Sequence, residues 1–224
     1  GTSPAQSIPL NWNIAPTNPI YIVRSPLKEQ SQSKKDLAIV SWGLIAPWLS
    51  DTAEAKTSQS RAINARSESV HEKPTFKDAF KQRRCLVPAQ GYYEWATALG
   101  RYKPKQAFYI SSLDGAQLSI AGIWSSWRAP NGEVIESASI ITQEAQGELA
   151  TIHSRMPVFM PHDRWDTWLD PENKEIENLR NLMVVQSPEA IVRAHPVSSH
   201  VNSVANNGAQ LTQAIELGEP ETLF

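Results

Sequence analysis

The sequence predicts an α+β fold. Short β-branched and aromatic runs fill residues 20–141, and helical patterns gather in the last third. Strands and helices do not alternate as the βαβ units of a doubly wound sheet would require. At 224 residues the chain can bury one core of generous size, and no linker divides it, so residues 1–224 read as a single domain.

The elements follow in order. Ile20–Val23 and Leu37–Trp42 flank the polar stretch Lys28–Lys35, which predicts a long hairpin with a surface turn. Asp51–Ser60 reads as a second polar loop. Phe76 and Phe80, four residues apart, predict a short helix with one buried face. Cys85–Pro88, Ala107–Ile110, Leu118–Trp124 and Ala138–Ile141 are apolar runs set between Gly, Pro or Asn turns, and read as strands. Pro161–Leu169 and Asp170–Met183 read as helices. The second has Asp170 as N-cap, Pro171 at the first helical position, and a buried stripe of Ile176, Leu179, Leu182 and Met183.

Composition excludes several classes. With 41% hydrophobic and 20% charged residues the chain is no disordered tail, and no run approaches the ~18 apolar residues of a membrane span. Cys85 is the single cysteine, so an intrachain disulfide and a Cys-based zinc cluster are both excluded, and a reducing cytoplasmic setting is expected. The opening Gly1-Thr-Ser-Pro4 carries no basic and apolar signal pattern. The net charge of −2 hides a dipole. Residues 61–128 hold 11 Lys and Arg against 5 Asp and Glu, while residues 129–224 hold 5 against 14. Arg61, Arg66, Arg83, Arg84, Arg101, Lys103 and Lys105 would track phosphates if the fold gathered them on one face; otherwise they form a solvated surface.

Three polar clusters stand out. In Arg61-Ala-Ile-Asn64-Ala-Arg66-Ser-Glu68, polar groups crowd between small residues in no regular pattern; Asn64 offers donors and an acceptor, and Arg66 a planar fork suited to phosphate. A capped polar loop is the alternative. In Gly91-Tyr-Tyr-Glu94-Trp95 one carboxylate sits among aromatics, where desolvation would raise its pKa toward the range of proton transfer, unless Glu94 is a strand-edge residue in water. In Ile152-His153-Ser-Arg155-Met-Pro-Val158 an extended backbone would send His153 and Arg155 from one face, a proton shuttle beside an anion holder; a structural His is the competing reading. The five His show no paired metal spacing, and no Walker, GxGxxG or GxSxG pattern is present. Cys85, within an apolar strand, reads as an inert core thiol.

Taken in order, Trp12-Asn-Ile-Ala-Pro16, Trp42-Gly-Leu-Ile-Ala-Pro-Trp48, Ile63-Asn-Ala-Arg-Ser-Glu68, Arg84–Trp95, Ala121-Gly-Ile-Trp124, Ile152-His-Ser-Arg-Met-Pro157 and His195-Pro-Val-Ser198 resemble the SOS-response-associated peptidase family. The resemblance runs from residue 12 to about 208. It implies a twisted, barrel-like, mainly antiparallel sheet flanked by helices, and it implies processing of abasic sites in single-stranded DNA. In the family a cysteine after the initiator Met is exposed by self-maturation, and its α-amine and thiol condense with the ring-opened abasic sugar as a thiazolidine. The resemblance implies that Asn64 orients the amino-terminal residue, that Glu94 manages protons, and that His153 assists ring opening. It implies DNA contacts for Arg66, Arg155, Pro16, Trp48, Asn13 and Thr142. No cofactor, metal or membrane partner is expected, and a monomer is. Gly1 stands where the family's Met-Cys-Gly-Arg start would lie, so the expectation is that a leading segment with the cysteine is missing. Two other classes stay open: a catalytically silent single-strand binder, and a Glu94–His153 acid-base hydrolase.

Overall fold

The computed structural model describes residues 7–26, 35–97, 102–184 and 187–217. β1 (Pro19–Arg24) and β2 (Asp36–Trp42) pair antiparallel, with Ile22 opposite Ala38, as the expected hairpin. Its turn lies outside the described residues apart from Lys35. β4 (Arg84–Ala89), β7 (Leu118–Arg128) and β8 (Val134–Glu144) extend the sheet in the order β2-β1-β4-β7-β8. β8 then meets β2 in parallel, Ser41 against Ser137 and Trp42 against Ala138, so five strands close into a barrel. The C-terminal half of β8 carries β3 (Asn64–Arg66) in parallel and β9 (Arg155–Pro157) antiparallel. A second sheet has the order β10-β6-β5, from β5 (Gly91–Trp95), β6 (Ala107–Ser112) and β10 (Val192–Pro196).

Strand alternation sorts the core into two sides. Ile20, Ile22, Val40, Cys85, Val87, Ile120, Trp124 and Ala138 cluster with Phe108 and Ile110 of the second sheet. Leu86, Ala121, Ile123 and Ile141 face the other way, against Phe80, Trp168, Leu169, Leu179 and Met183. Those five come from α2 (Pro74–Gln82), α3 (Trp165–Leu169) and α4 (Ile176–Leu182) with its C-cap. Phe80 and Trp168 are fully buried and meet edge to face at 6.1 Å; each contributes about 2–3 kcal/mol of burial. The single α+β domain with a barrel-like sheet is therefore as expected, and so is the α2 helix. Cys85 is buried in the first cluster, and burial pushes its thiol pKa well up, as expected of an inert core thiol.

Other expectations are corrected. Asp51–Ser60 is no loop: α1 (Thr52–Arg61) begins there because the Asp51 carboxylate accepts from the Ala53 and Glu54 amides at 2.9 Å, filling two orphan donors. Only Ala55 of α1 is buried, so no apolar stripe announces the helix. Asp170 does not cap a helix running to Met183; α4 starts at Ile176 after Glu175. The carbonyls of Asp170 and Asn173 are drawn instead onto the Arg84 guanidinium. Arg84 also receives the carbonyls of Phe80 and Lys81 at 2.9 and 2.7 Å and of Trp168 at 2.6 Å, which ties the ends of α2 and α3 together. Arg84, only 3% exposed, thus leaves the expected phosphate-tracking face, and Arg101 lies outside the described residues. Desolvation lowers the Arg84 pKa to about 10, still cationic at neutral pH.

Candidate functional site

The site starts from β3. The Trp42 indole N–H donates to the Ile63 carbonyl at 3.0 Å, and Asn64, Ala65 and Arg66 register against Ile140, Ile141 and Thr142. Ala65 is wholly buried, so alternation turns Asn64 and Arg66 outward together. Neither side chain has a hydrogen-bond or ionic partner among the described residues. An amide and a fixed planar cation with unmet capacity, side by side on a short buried-edge strand, form a ready anion and polar-group receptor.

Glu94 comes from β5, where it faces the same side as Tyr92 and registers against Phe108. Its side chain is 26% exposed, and Oε2 lies 3.8 Å from His153 Nδ1. Desolvation lifts the Glu94 pKa above the usual carboxylate range, opposed in part by the His153 charge and by the Trp95 N–H, which donates to Oε1 at 3.1 Å. At 3.8 Å the pair is an ionic neighbourhood and not a hydrogen bond. His153 itself is not on an extended strand. A one-turn 3-10 helix, Gly147–Thr151, precedes it, and the expected extended run begins only at Arg155. His153 Nδ1 meets two backbone groups of Arg155, the N–H at 3.0 Å, from which a bare Nδ1 accepts, and the carbonyl at 3.2 Å, to which a protonated Nδ1 donates. The pair therefore sets a carboxyl of raised pKa beside an imidazole whose Nδ1 finds a backbone partner in either tautomer.

Arg155 is already engaged. Nη1 and Nη2 grip the Glu68 carboxylate at 2.8 and 2.9 Å, and Nη2 also donates to the Thr142 carbonyl at 2.7 Å. The Arg155 hydrogen bond, partly offset by burial, holds the Glu68 pKa below the usual range. Thr142 is 8% exposed, and its carbonyl also accepts the Ser67 N–H, so its visible task is to bind β9 and the turn after β3 to β8.

The remaining expected residues divide. Pro16 is exposed and next to Thr17, whose N–H donates to the Trp42 carbonyl at 2.8 Å, so Pro16 reaches the rim that Trp42 shares with β3. Thr17 has φ 72°, a left-handed conformation costing a β-branched residue about 1 kcal/mol or more. Trp48 is 54% exposed, outside the core. It sits beyond a turn that needs Gly43, since a Cβ there would come within 2.3 Å of the Gln59 carbonyl oxygen. Asn13 is a correction in role. It is 8% exposed, and its Nδ2 donates to the carbonyls of Val201, Ser203 and Asn206 at 3.1, 3.0 and 3.3 Å, which commits its N–H groups to the fold.

Sequence reading missed the role of Glu68, although it ends the quoted Asn64 motif, and missed Gln143, whose buried Nε2 has no partner among the described residues. It also missed Tyr93, whose hydroxyl donates to the Trp12 carbonyl at 2.8 Å. Among the described residues no three His, Cys, Asp or Glu are grouped to hold a metal, and no helix is long and apolar enough to cross a membrane.

The chain is similar to several known proteins. The abasic site processing protein YoaM of Bacillus subtilis is 32% identical over 204 residues, covering 91% of this chain and 85% of that one. The abasic site processing protein HMCES of Gallus gallus is 29% identical, covering 92% of this chain and 66% of the other. Among solved structures, a Bacteroides thetaiotaomicron protein superposes with TM-score 0.74 at 25% identity, covering 87% of this chain and 80% of that one. A Bordetella bronchiseptica protein superposes with TM-score 0.71 at 26% identity, covering 83% and 86%. The family profile described as SOS response associated peptidase (SRAP) matches residues 2–204, and the chain belongs to that family.

Proposed function

We propose that this protein processes abasic sites in single-stranded DNA by a covalent bond through an amino-terminal cysteine, exposed by removal of the initiator Met. The observation that carries the reading is the half-buried Glu94, its pKa raised, 3.8 Å from His153. Names of the relatives at about 30% identity, abasic site processing proteins, support the substrate class.

The chemistry assigns each group a task. The α-amine attacks the C1 aldehyde of the ring-opened deoxyribose, and loss of water leaves an imine. The thiol then adds to the imine carbon while the imine nitrogen takes a proton, closing a thiazolidine. A carboxyl with raised pKa holds and returns these protons at higher pH than an ordinary carboxylate, which is the part of Glu94. His153 assists opening of the sugar ring. Asn64, its amide free, orients the amino-terminal residue. Arg66 takes a flanking phosphate directly. Arg155 takes one by exchanging Glu68, which is 53% exposed; a pair so open to water is worth about 1 kcal/mol or less, so a phosphate can displace it. Pro16 and Trp48 present exposed surface to unstacked bases. The Thr142 carbonyl accepts from the Arg155 guanidinium, and the Asn13 amide binds the loop at Val201.

The test is intact mass of the protein expressed from its native gene start, before and after incubation with abasic single-stranded DNA. A shift equal to the DNA minus water, resistant to denaturation, is expected. An unshifted mass overturns the crosslinking reading.

A further inference from the structure

β5 is a junction with two faces. Glu94 lies on one, and Tyr93 and Trp95 alternate to the other. Tyr93 and Trp95 each hold a separate segment: the Tyr93 hydroxyl donates to the Trp12 carbonyl at 2.8 Å, and the Trp95 indole N–H donates to Asn202 Oδ1 at 2.7 Å. The two segments are in turn bonded to each other. Trp12 N–H donates to Asn207 Oδ1 at 2.9 Å, Asn207 Nδ2 donates to the Leu10 carbonyl at 3.4 Å, and the Asn13 amide spans the carbonyls of Val201, Ser203 and Asn206. Asn206 braces the same loop through the His200 carbonyl at 2.8 Å.

We infer that residues 201–207 are a clasp that sets where the amino-terminal segment runs relative to Glu94, with Asn207, Asn13 and Tyr93 as its positioning residues. The inference rests on the proposed function, because a covalent reaction at the amino terminus depends on where that segment is held. Several features favour a positioning task over plain packing. Leu10 is 78% exposed and Trp12 37%, so the segment gains little from burial, and its path is fixed by directional bonds to backbone groups. The Tyr93 phenol, pushed up to about 12 by burial, stays a donor across the working pH range. Tyr93 is itself braced by Tyr109 at 5.3 Å, whose ring lies where a Cβ on Gly91 would stand. Residue 93 is one peptide from Glu94, so the strand that aims the carboxyl also anchors the segment.

The experiment uses Tyr93→Phe and Asn207→Ala in the protein expressed from its native gene start. Measured are the covalent rate at saturating abasic DNA, the half-saturating DNA concentration, hydrogen exchange at the Trp12 amide, and the melting temperature. The expected result is a maximal rate lowered about tenfold, since ångström misplacements cost reactions up to about a hundredfold. Half-saturation should stay within twofold and exchange at Trp12 should rise. Because Phe keeps the ring stack on Tyr109, Tyr93→Phe separates the bond from the packing. A parent that reacts, with both variants at parental rate while Trp12 exchange has risen, overturns the clasp alone. A parent that forms no adduct overturns the proposed function and the clasp with it. Equal loss of rate and DNA affinity assigns these residues to general folding and also overturns the clasp.

Discussion

Arg24 and Arg84 on one hand and Arg66 on the other are the same residue type used in opposite ways. Arg24 is 5% exposed, lies between the Asp36 and Glu136 carboxylates at 3.4 and 2.9 Å, and covers the Trp124 ring at 4.3 Å. Arg84 spends its guanidinium on five carbonyls. Arg66 is exposed with no partner among the described residues, next to an equally unengaged Asn64. Glu136, which holds Arg24, and Thr142, which registers against Arg66, lie six positions apart on β8, about 20 Å along the strand. The difference teaches how to separate scaffold from site: a polar group whose hydrogen-bonding capacity is filled stabilises, and one left unfilled is available to a ligand.

The contrast can be broken most sharply at Arg84. Arg84→Ala strands buried carbonyls at the ends of two helices and should cost about 3–5 kcal/mol in urea unfolding, while Arg66→Ala should cost under about 0.5. Similar losses for both would end the distinction. Glu94→Gln should lower the rate of adduct formation about a hundredfold or more with DNA affinity kept, as read from single-turnover kinetics. Arg66→Ala should act on binding alone, flattening the dependence of log affinity on log salt by about 0.7 for one lost single-strand phosphate contact; an unchanged slope removes Arg66 from the phosphate path.

The two site carboxylates sharpen the comparison through pH. Glu94, with its folded pKa raised, binds its proton more tightly folded than unfolded. Its contribution to stability therefore falls as pH rises from the ordinary carboxylate pKa through the raised one, and Glu94→Gln should be at least as stable as the parent at pH 7. Glu68, with its folded pKa lowered, contributes above the ordinary carboxylate pKa and loses that contribution as pH falls through the lowered one. Glu68→Gln should cost about 1 kcal/mol or less at pH 7, with the difference vanishing in acid. Urea midpoints at pH 4 and 7 check both signs, which should be opposite.

Much of this was legible in the sequence. β1, β2, β4, β6, β7 and β8 read correctly because their apolar runs and their Gly, Pro and Asn punctuation are local, and α2 because Phe76 and Phe80 mark one face; β3 and β10 carry no such run and were not predicted. α1 was missed because the reading looked for an apolar stripe, and this helix buries little; Asp51 followed by Glu54 was the cap signal available. Asp170 misled because a cap, a proline and an acidic residue in order are compatible with a turn, and a remote arginine claimed the carbonyls a helix would have used. At the site, residue types pointed to Glu94, His153 and Arg66. The occupation of Arg155 by Glu68 and of Asn13 by three carbonyls involves partners 87 and 188 or more positions away, which no local pattern encodes.

Closure of the barrel has a further consequence, in the order of events during folding. The seam between β2 and β8 is two residue pairs wide, and β8 is also the strand on which β3 and β9 are hung. Asn64, Arg66 and Arg155 thus take up their places only once a strand beginning at residue 134 has been made and inserted. A nascent chain that does not yet hold β8 has nothing for β3 and β9 to pair with, so the topology sets the gathering of Asn64, Arg66 and Arg155 behind the completion of the barrel.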